Sequence, residues 1–262
     1  MTNEQRVLVT GGTGKLGRVI AAHLVRTGWS VIVTARDAAR AIALADELAK
    51  IQDKVLAKGH GKRVLGIGLD FLIPHAVDRV LTDLSLHACT PTHLVNNARS
   101  MDTLAVKPDG TTDRETFLSE MDLDVVQPYR LTMALANSPD SRLSTVVNIG
   151  SQYGEVAPNP ALYGGTLSLS PIQYGVSKAA LHHMTRELAV RLAPRVRVNC
   201  VAFGGFSGRT DPVFAKRYGA LSPNGRMLSE TEAAGPVAFL LGEESGSVNG
   251  HVLVADGGWS IW

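Results

Sequence analysis

The chain has 262 residues, 45% of them hydrophobic, which is enough for one sizeable α/β domain and unlike a disordered segment. Its 26 Lys and Arg barely exceed its 24 Asp and Glu, and the basic residues are spread along the sequence, so a nucleic-acid binder is not expected. Cys89 and Cys200 lie outside any C-x-x-C pair, which fits a reducing compartment and neither a disulfide scaffold nor structural zinc. The chain enters an apolar run at Arg6, leaving no room for a leader, and no apolar run nears the roughly 20 residues of a membrane helix. A soluble cytoplasmic protein is expected.

In chain order, short β-branched runs fall at 6–10, 30–35, 63–69, 92–98, 144–150, 195–203 and 251–257. They lack a clean polar alternation, as strands buried on both faces do, and longer segments with apolar residues at three- and four-residue steps separate them. Helices are expected at 16–28, 37–52, 75–87, 114–137 and 176–193. No linker, repeat or charge block divides the chain. The expectation is a single domain over 1–262, an α/β Rossmann-type doubly wound parallel sheet of about seven strands with helices on both faces. Residues 203–227, irregular in pattern, follow the sixth strand, where such a sheet places its ligand, and read as a substrate lid.

The first strand runs into VTGGTGKLGRVI, which spaces Gly11, Gly14 and Gly17 around Thr13, Lys15 and Leu16 before a helix. Glycines let a pyrophosphate approach the backbone, and a helix N-terminus offers free N–H groups and positive dipole, so a dinucleotide site is expected here. The second strand ends in Ala35–Arg36 where an acidic residue would take a free ribose 2′-hydroxyl. Arg36, with Lys15, suits a 2′-phosphate instead, so NADP(H) is preferred. NAD(H) stays open if Arg36 is solvated and Asp37 turns inward.

With NNA at 96–98, Ser151 ending the fifth strand, YGVSK at 174–178, RVNCVAFGG at 197–205 and VNGHVLVADGGW at 248–259, the sequence resembles the short-chain dehydrogenase/reductase family over nearly its whole length. The resemblance implies that Tyr174 is the acid/base, that Lys178 assists it and holds the nicotinamide ribose, and that Ser151 hydrogen-bonds the substrate oxygen. Residues four apart stand on one helical face, so Lys178 meets Tyr174. A phenolate near neutrality needs tyrosine's ordinary pKa of about 10 lowered to about 7, roughly 4 kcal/mol, which a nearby ammonium supplies. Asn96 resembles the asparagine bordering the adenine-side ribose, with Asn97 and Ala98 beside it, and Asp70 the aspartate that meets the adenine, with Phe71 next to it. Asn96 and Asp70 read equally as strand-end caps. Tyr153 and Tyr163 lack a lysine four residues on and read as structural, Tyr163 lining the substrate pocket.

Three departures stand out. Asp124 occupies the place of an asparagine that supports a water-mediated proton path to the lysine. Arg99 replaces a glycine and points to an anionic substrate group, or is solvated. Phe203 replaces a proline beside the substrate. Twenty-three positions separate Ser151 from Tyr174, an insertion relative to the family that reads as a substrate-facing loop at about 152–173, facing a second at about 203–228. The loops and the GGWSIW terminus resemble a subgroup acting in bacterial surface-sugar (nonulosonic acid) biosynthesis.

The expected activity is NADP(H)-dependent interconversion of a secondary alcohol and a ketone, on a small, polar, sugar-like molecule. A 3-oxoacyl thioester or small-ketone reductase is the runner-up, and a cofactor-binding sensor or scaffold without turnover the alternative of another class. Family resemblance implies a homo-oligomer, a tetramer or dimer, with GGWSIW packing across subunits. The eight histidines include adjacent His182 and His183 but no H-E-x-x-H, so no metal is expected and both read as helix-surface or interface residues.

Overall fold

The computed structural model describes residues 5–55, 64–208 and 210–261; Arg63 of the third expected strand, Arg209 of the expected lid and Trp262 of GGWSIW lie outside them. Seven strands, β1 (Arg6–Val9), β2 (Ser30–Ala35), β3 (Val64–Gly68), β4 (His93–Asn96), β5 (Thr145–Ser151), β6 (Arg197–Phe203) and β7 (Val252–Ala255), form one sheet in the order β3-β2-β1-β4-β5-β6-β7. Every pairing is parallel.

The β-branched runs make strands because both of their faces are covered. Val7 and Val9 enter one core cluster with Val31, Val33, Val95 and Val147, while Leu8, Ile32, Leu94 and Val146, one position over, enter the other. Helices α1 (Lys15–Arg26), α2 (Ala38–Val55) and α8 (Ala234–Leu241) cover the first face through Ile20, Leu44 and Val237. Helices α3 (Ala76–Leu86), α5 (Gln127–Asn137) and α6 (Ile172–Leu192) cover the second through Val80, Leu135 and Leu188. Each such side chain contributes about 1.5–3 kcal/mol on burial, so two-sided covering outweighs any local strand preference. Among the described residues no helix is long and apolar enough to cross a membrane.

Three expectations about helices are corrected. The helix expected over 114–137 is three pieces: α4 (Arg114–Met121), a π-helical turn (Asp122–Val126) and α5. Pro128 supplies the cause: its ring collides with the carbonyl four residues back, that of Asp124, and the Gln127 N–H reaches Asp122 O instead. Helix α6 begins at Ile172 rather than 176, so Tyr174 lies within its first turn. The lid segment is partly regular, since α7 (Pro212–Leu221) starts at Asp211, whose carboxylate accepts from Phe214 N at 2.9 Å. Helix α8 was not anticipated either.

Helix α7 and a 3-10 turn at Pro160–Tyr163 share a small core of Leu162, Tyr218, Met227 and Trp259. The two loops after β5 and β6 therefore form one packed cap. Trp259 of GGWSIW is buried against Tyr218, with ring centroids 4.3 Å apart, so this residue packs within its own chain rather than across subunits.

Candidate active site

A cleft of about 950 Å³ opens at the carboxyl ends of β1, β2, β4, β5 and β6. The chain reverses its direction of winding between β1 and β4, and a ligand crevice forms at that point in an open parallel sheet.

Its floor is the turn after β1. Gly11 has φ +64°, and a Cβ there would lie 2.7 Å from Ala98 Cα; a Cβ on Gly17 would lie 2.4 Å from Gly11 O. Only glycine fits at either position. Gly14 caps α1 without a side-chain acceptor and the first turn of α1 has no acid, which leaves its N–H groups for an anion. Asn97 Nδ2 donates to Thr10 O (2.8 Å) and Gly11 O (3.2 Å), and Thr10 Oγ1 accepts from Asn97 N and Ala98 N, locking this turn to the end of β4. Thr13, Lys15 and Leu16 complete the lining. A close-approach turn, free helix donors and a first helical turn without an acid of its own fit a dinucleotide pyrophosphate.

Asn96 is corrected. It is buried on the other side of β4, its Nδ2 donating to Asn148 Oδ1 (2.8 Å) and Thr132 Oγ1 (3.3 Å), and it does not line the cleft. Neighbouring residues of a strand point to opposite faces, so Asn97 serves the turn and Asn96 the core.

At the end of the cleft beside β2, Arg36 and Lys15 line it, each beside a carboxylate: Arg36 Nη1 lies 3.1 Å from Asp102 Oδ2 and Lys15 Nζ 3.0 Å from Glu230 Oε1. Arg36 and Lys15 are the residues expected here; Asp102 and Glu230 were missed, because nothing in the local sequence pairs them with those cations. Asp37 is committed to α2, its carboxylate accepting from Arg40 N at 3.1 Å. Asp70 accepts from Leu72 N at 3.0 Å and, with Phe71, also lines the cleft, so it is cap and lining together.

At the far end stand Ser151, Tyr174 and Lys178. Ser151 Oγ accepts from Tyr153 N at 3.2 Å, which leaves its hydroxyl hydrogen to donate into the cleft. The Tyr174 hydroxyl bonds to no described residue, and Lys178 Nζ is 5.7 Å from its ring centroid. Two of the three Lys178 donors are committed, to Ile149 O at 3.0 Å and Asp124 Oδ2 at 2.9 Å. Burial is the largest influence on Lys178 and opposes its charge, but attraction to Asp124 and Tyr174 and the Asp124 hydrogen bond outweigh it and raise its pKa.

Asp124 is buried behind the cleft and touches Lys178 directly, where the sequence pointed to a water-mediated path. It also accepts from Ser177 Oγ at 3.1 Å. Arg99 lies over the Tyr174 ring, 4.7 Å from its centroid, a cation–π geometry.

The rest of this end of the cleft is aromatic. Tyr163 and Phe203 line it, together with Tyr153, Phe206, Phe214 and Tyr218. Tyr153 and Tyr163 hydroxyls meet at 3.1 Å, and burial pushes the Tyr153 phenol well above its ordinary range. Tyr218 accepts from Gly205 N and donates to Gln152 Oε1, both at 2.8 Å, and burial raises it to about 12. These two phenols are structural hydrogen-bonding groups. His182, expected at a surface, is buried with Nδ1 2.7 Å from Glu155 Oε1, and burial outweighs that carboxylate to lower its pKa.

Parallel order, a crevice at the reversal and a glycine-lined helix start define a Rossmann-type protein. The family model described as enoyl-(acyl carrier protein) reductase matches residues 13–260. The chain is 30% identical over 258 residues to the 3-oxoacyl-(acyl-carrier-protein) reductase FabG of Aquifex aeolicus, covering 96% of this chain and 95% of that protein. It is 28% identical over 269 residues to galactitol 2-dehydrogenase of Rhizobium johnstonii, covering 98% and 96%. The solved Pseudomonas aeruginosa RhlG/NADP active-site complex superposes with a TM-score of 0.81 at 27% identity, over 98% of this chain and 96% of that one. The chain belongs to the short-chain dehydrogenase/reductase family and is an oxidoreductase.

Proposed function

We propose that the protein interconverts a secondary alcohol and a ketone with a nicotinamide cofactor, Tyr174 exchanging the proton. The carrying observation is that Tyr174, with a hydroxyl no described residue engages, shares the cleft with the free hydrogen of Ser151 and the third donor of Lys178. When bound, the nicotinamide supplies or accepts the hydride. Ser151 orients the substrate oxygen, Tyr174 gives it or takes from it a proton, and the Lys178 ammonium favours the phenolate while its remaining donor reaches the ribose. Replacing Tyr174 with Phe removes the proton-exchanging group. Turnover should fall at least a hundredfold with cofactor affinity unchanged; full turnover in Tyr174→Phe would overturn the assignment.

NADP(H) is the preferred cofactor in this reading. Arg36–Asp102 and Lys15–Glu230 are solvent-screened ion pairs and hold weakly, so a 2′-phosphate displaces the carboxylates at little cost. The likeness to the RhlG/NADP complex agrees with this. In Arg36→Ala the KM for NADPH should rise about tenfold or more while that for NADH stays within about twofold; an unchanged ratio would point to NAD(H).

For the substrate we favour a polar, sugar-like molecule. Aromatic faces at Tyr163, Phe203, Phe206 and Phe214 can stack on a ring, and Arg99 with the Tyr163 hydroxyl supplies a cationic and a polar contact. The likeness to galactitol 2-dehydrogenase agrees with this, as does the surface-sugar character read in the loops. A 3-oxoacyl thioester or small ketone is the second reading, favoured by the same apolar lining and the likeness to FabG. The protein also acts as a homo-oligomer in this reading, because exposed Leu118, Val126, Tyr129, Ile172 and Val176 extend along α4, the π turn, α5 and α6.

A further inference from the structure

Glu120 lies at the end of α4, with no exposed surface. Its Oε2 is in short contact with Thr103 Oγ1, and its Oε1 has no hydrogen-bond partner. Thr103 has one hydroxyl hydrogen, and Ser100 O, 3.2 Å away, can only accept it. When Thr103 donates there, the Thr103–Glu120 contact requires the hydrogen to sit on Glu120. A buried carboxylate oxygen that accepts no hydrogen bond disfavours the ionised form, so the neutral acid is the form this pocket suits.

The elements packed against Glu120 bring few charges to it. Asp124 comes from the π turn, Lys178 from α6 and Arg99 from beyond β4. The turn at Asp102–Leu104 brings Thr103, while Asp102 itself is exposed and paired with Arg36. From α6, Gln173 Nε2 donates to Thr103 O and Ala105 O and fixes that turn in place. Burial first, then repulsion from Asp124, pushes Glu120 up to about 7, against the opposing pull of Thr103, Lys178 and Arg99.

We propose that Glu120 is a positioning residue for the acid/base step: carrying a proton, it leaves the Asp124–Lys178 pair balanced, and losing it, it adds a negative charge that opposes proton loss from Tyr174. The inference rests on the reading of Tyr174 as acid/base. One Asp and one Lys sum to zero, so the Lys178 ammonium acts on Tyr174 with a single counter-charge. Ionised Glu120 makes the three buried groups net negative and offsets the Arg99 guanidinium that lies over the Tyr174 ring, and an added negative charge nearby disfavours a phenolate. Glu120 thereby favours the phenol, the form that donates to a carbonyl, as pH rises through neutrality.

The test needs no substrate. Tyrosinate absorbance is followed against pH in the full-length protein, wild type and Glu120→Gln, with Tyr174→Phe subtracted to isolate Tyr174. In E120Q the Tyr174 midpoint should be roughly half to one pH unit lower, a three- to tenfold change in proton affinity. Glu120→Asp, which can still ionise, should restore a midpoint closer to wild type. Infrared difference spectra of the wild type should show a protonated-carboxyl band that disappears as pH rises through about 7 and is absent from E120Q. A wild-type midpoint in E120Q, or no such band, overturns the proposal. A shifted midpoint with full turnover in Tyr174→Phe would instead sink the acid/base reading and leave the coupling standing.

Discussion

At the scale of single residues, the site depends on which charges share a buried space. Lys178 is held by a carbonyl and by Asp124 at hydrogen-bond distance, and Glu120 adds a third titratable group to the same neighbourhood. Glu120 holds its proton more tightly folded (about 7) than at its ordinary 4.5, so its contribution to stability is complete below pH 4.5 and is lost as pH rises to about 7. His93 runs the other way. Burial lowers it from 6.5 to about 4, so its contribution is present above pH 6.5 and lost as pH falls through 4. Thermal melts should therefore show E120Q gaining on the wild type between pH 4.5 and 7, by a total on the order of 3 kcal/mol, and keeping a constant offset above. An offset that does not change between pH 4.5 and 7 would mean that Glu120 is ionised across that window.

At the scale of elements, local signals and tertiary contacts divide the work. The glycine turn, the β-branched strands and the Tyr174–Lys178 spacing are short-range patterns and were legible. Helix α7 had a signal too, Asp211 followed by Pro212 at the first helical position, but its glycine and its short length hid it. Asp211→Ala should cost about 1 kcal/mol locally, speeding amide exchange across 213–221 about fivefold while β5 exchange stays unchanged. Equal exchange in both proteins would show that packing of Tyr218 on Trp259, not the cap, holds the helix. The π turn was not legible as such: Pro128 announces a disturbance in a helix, but whether the chain kinks, breaks or widens depends on what the displaced residues can touch. Here widening puts Asp124 on Lys178.

At the scale of the whole molecule, the exposed apolar side chains on α4, α5 and α6 lie on the face of the layer that carries Tyr174. Light scattering should give a multiple of the chain mass, and a monomer at micromolar concentration would remove the oligomer from the reading. The sequence by itself determined the fold class, the order of the strands along the chain, the glycine turn before α1 and the tyrosine with a lysine one turn away, because each is written in neighbours within one strand or one helical turn. Only the tertiary structure decided that Asn97 and not Asn96 faces the turn, that Asp102 and Glu230 stand beside Arg36 and Lys15, and that Glu120 is buried near Lys178. Those partners are separated by up to 215 positions in the chain, as Lys15 and Glu230 are, and residue types spaced that far apart carry no period that fixes which face, or which charge, they will meet.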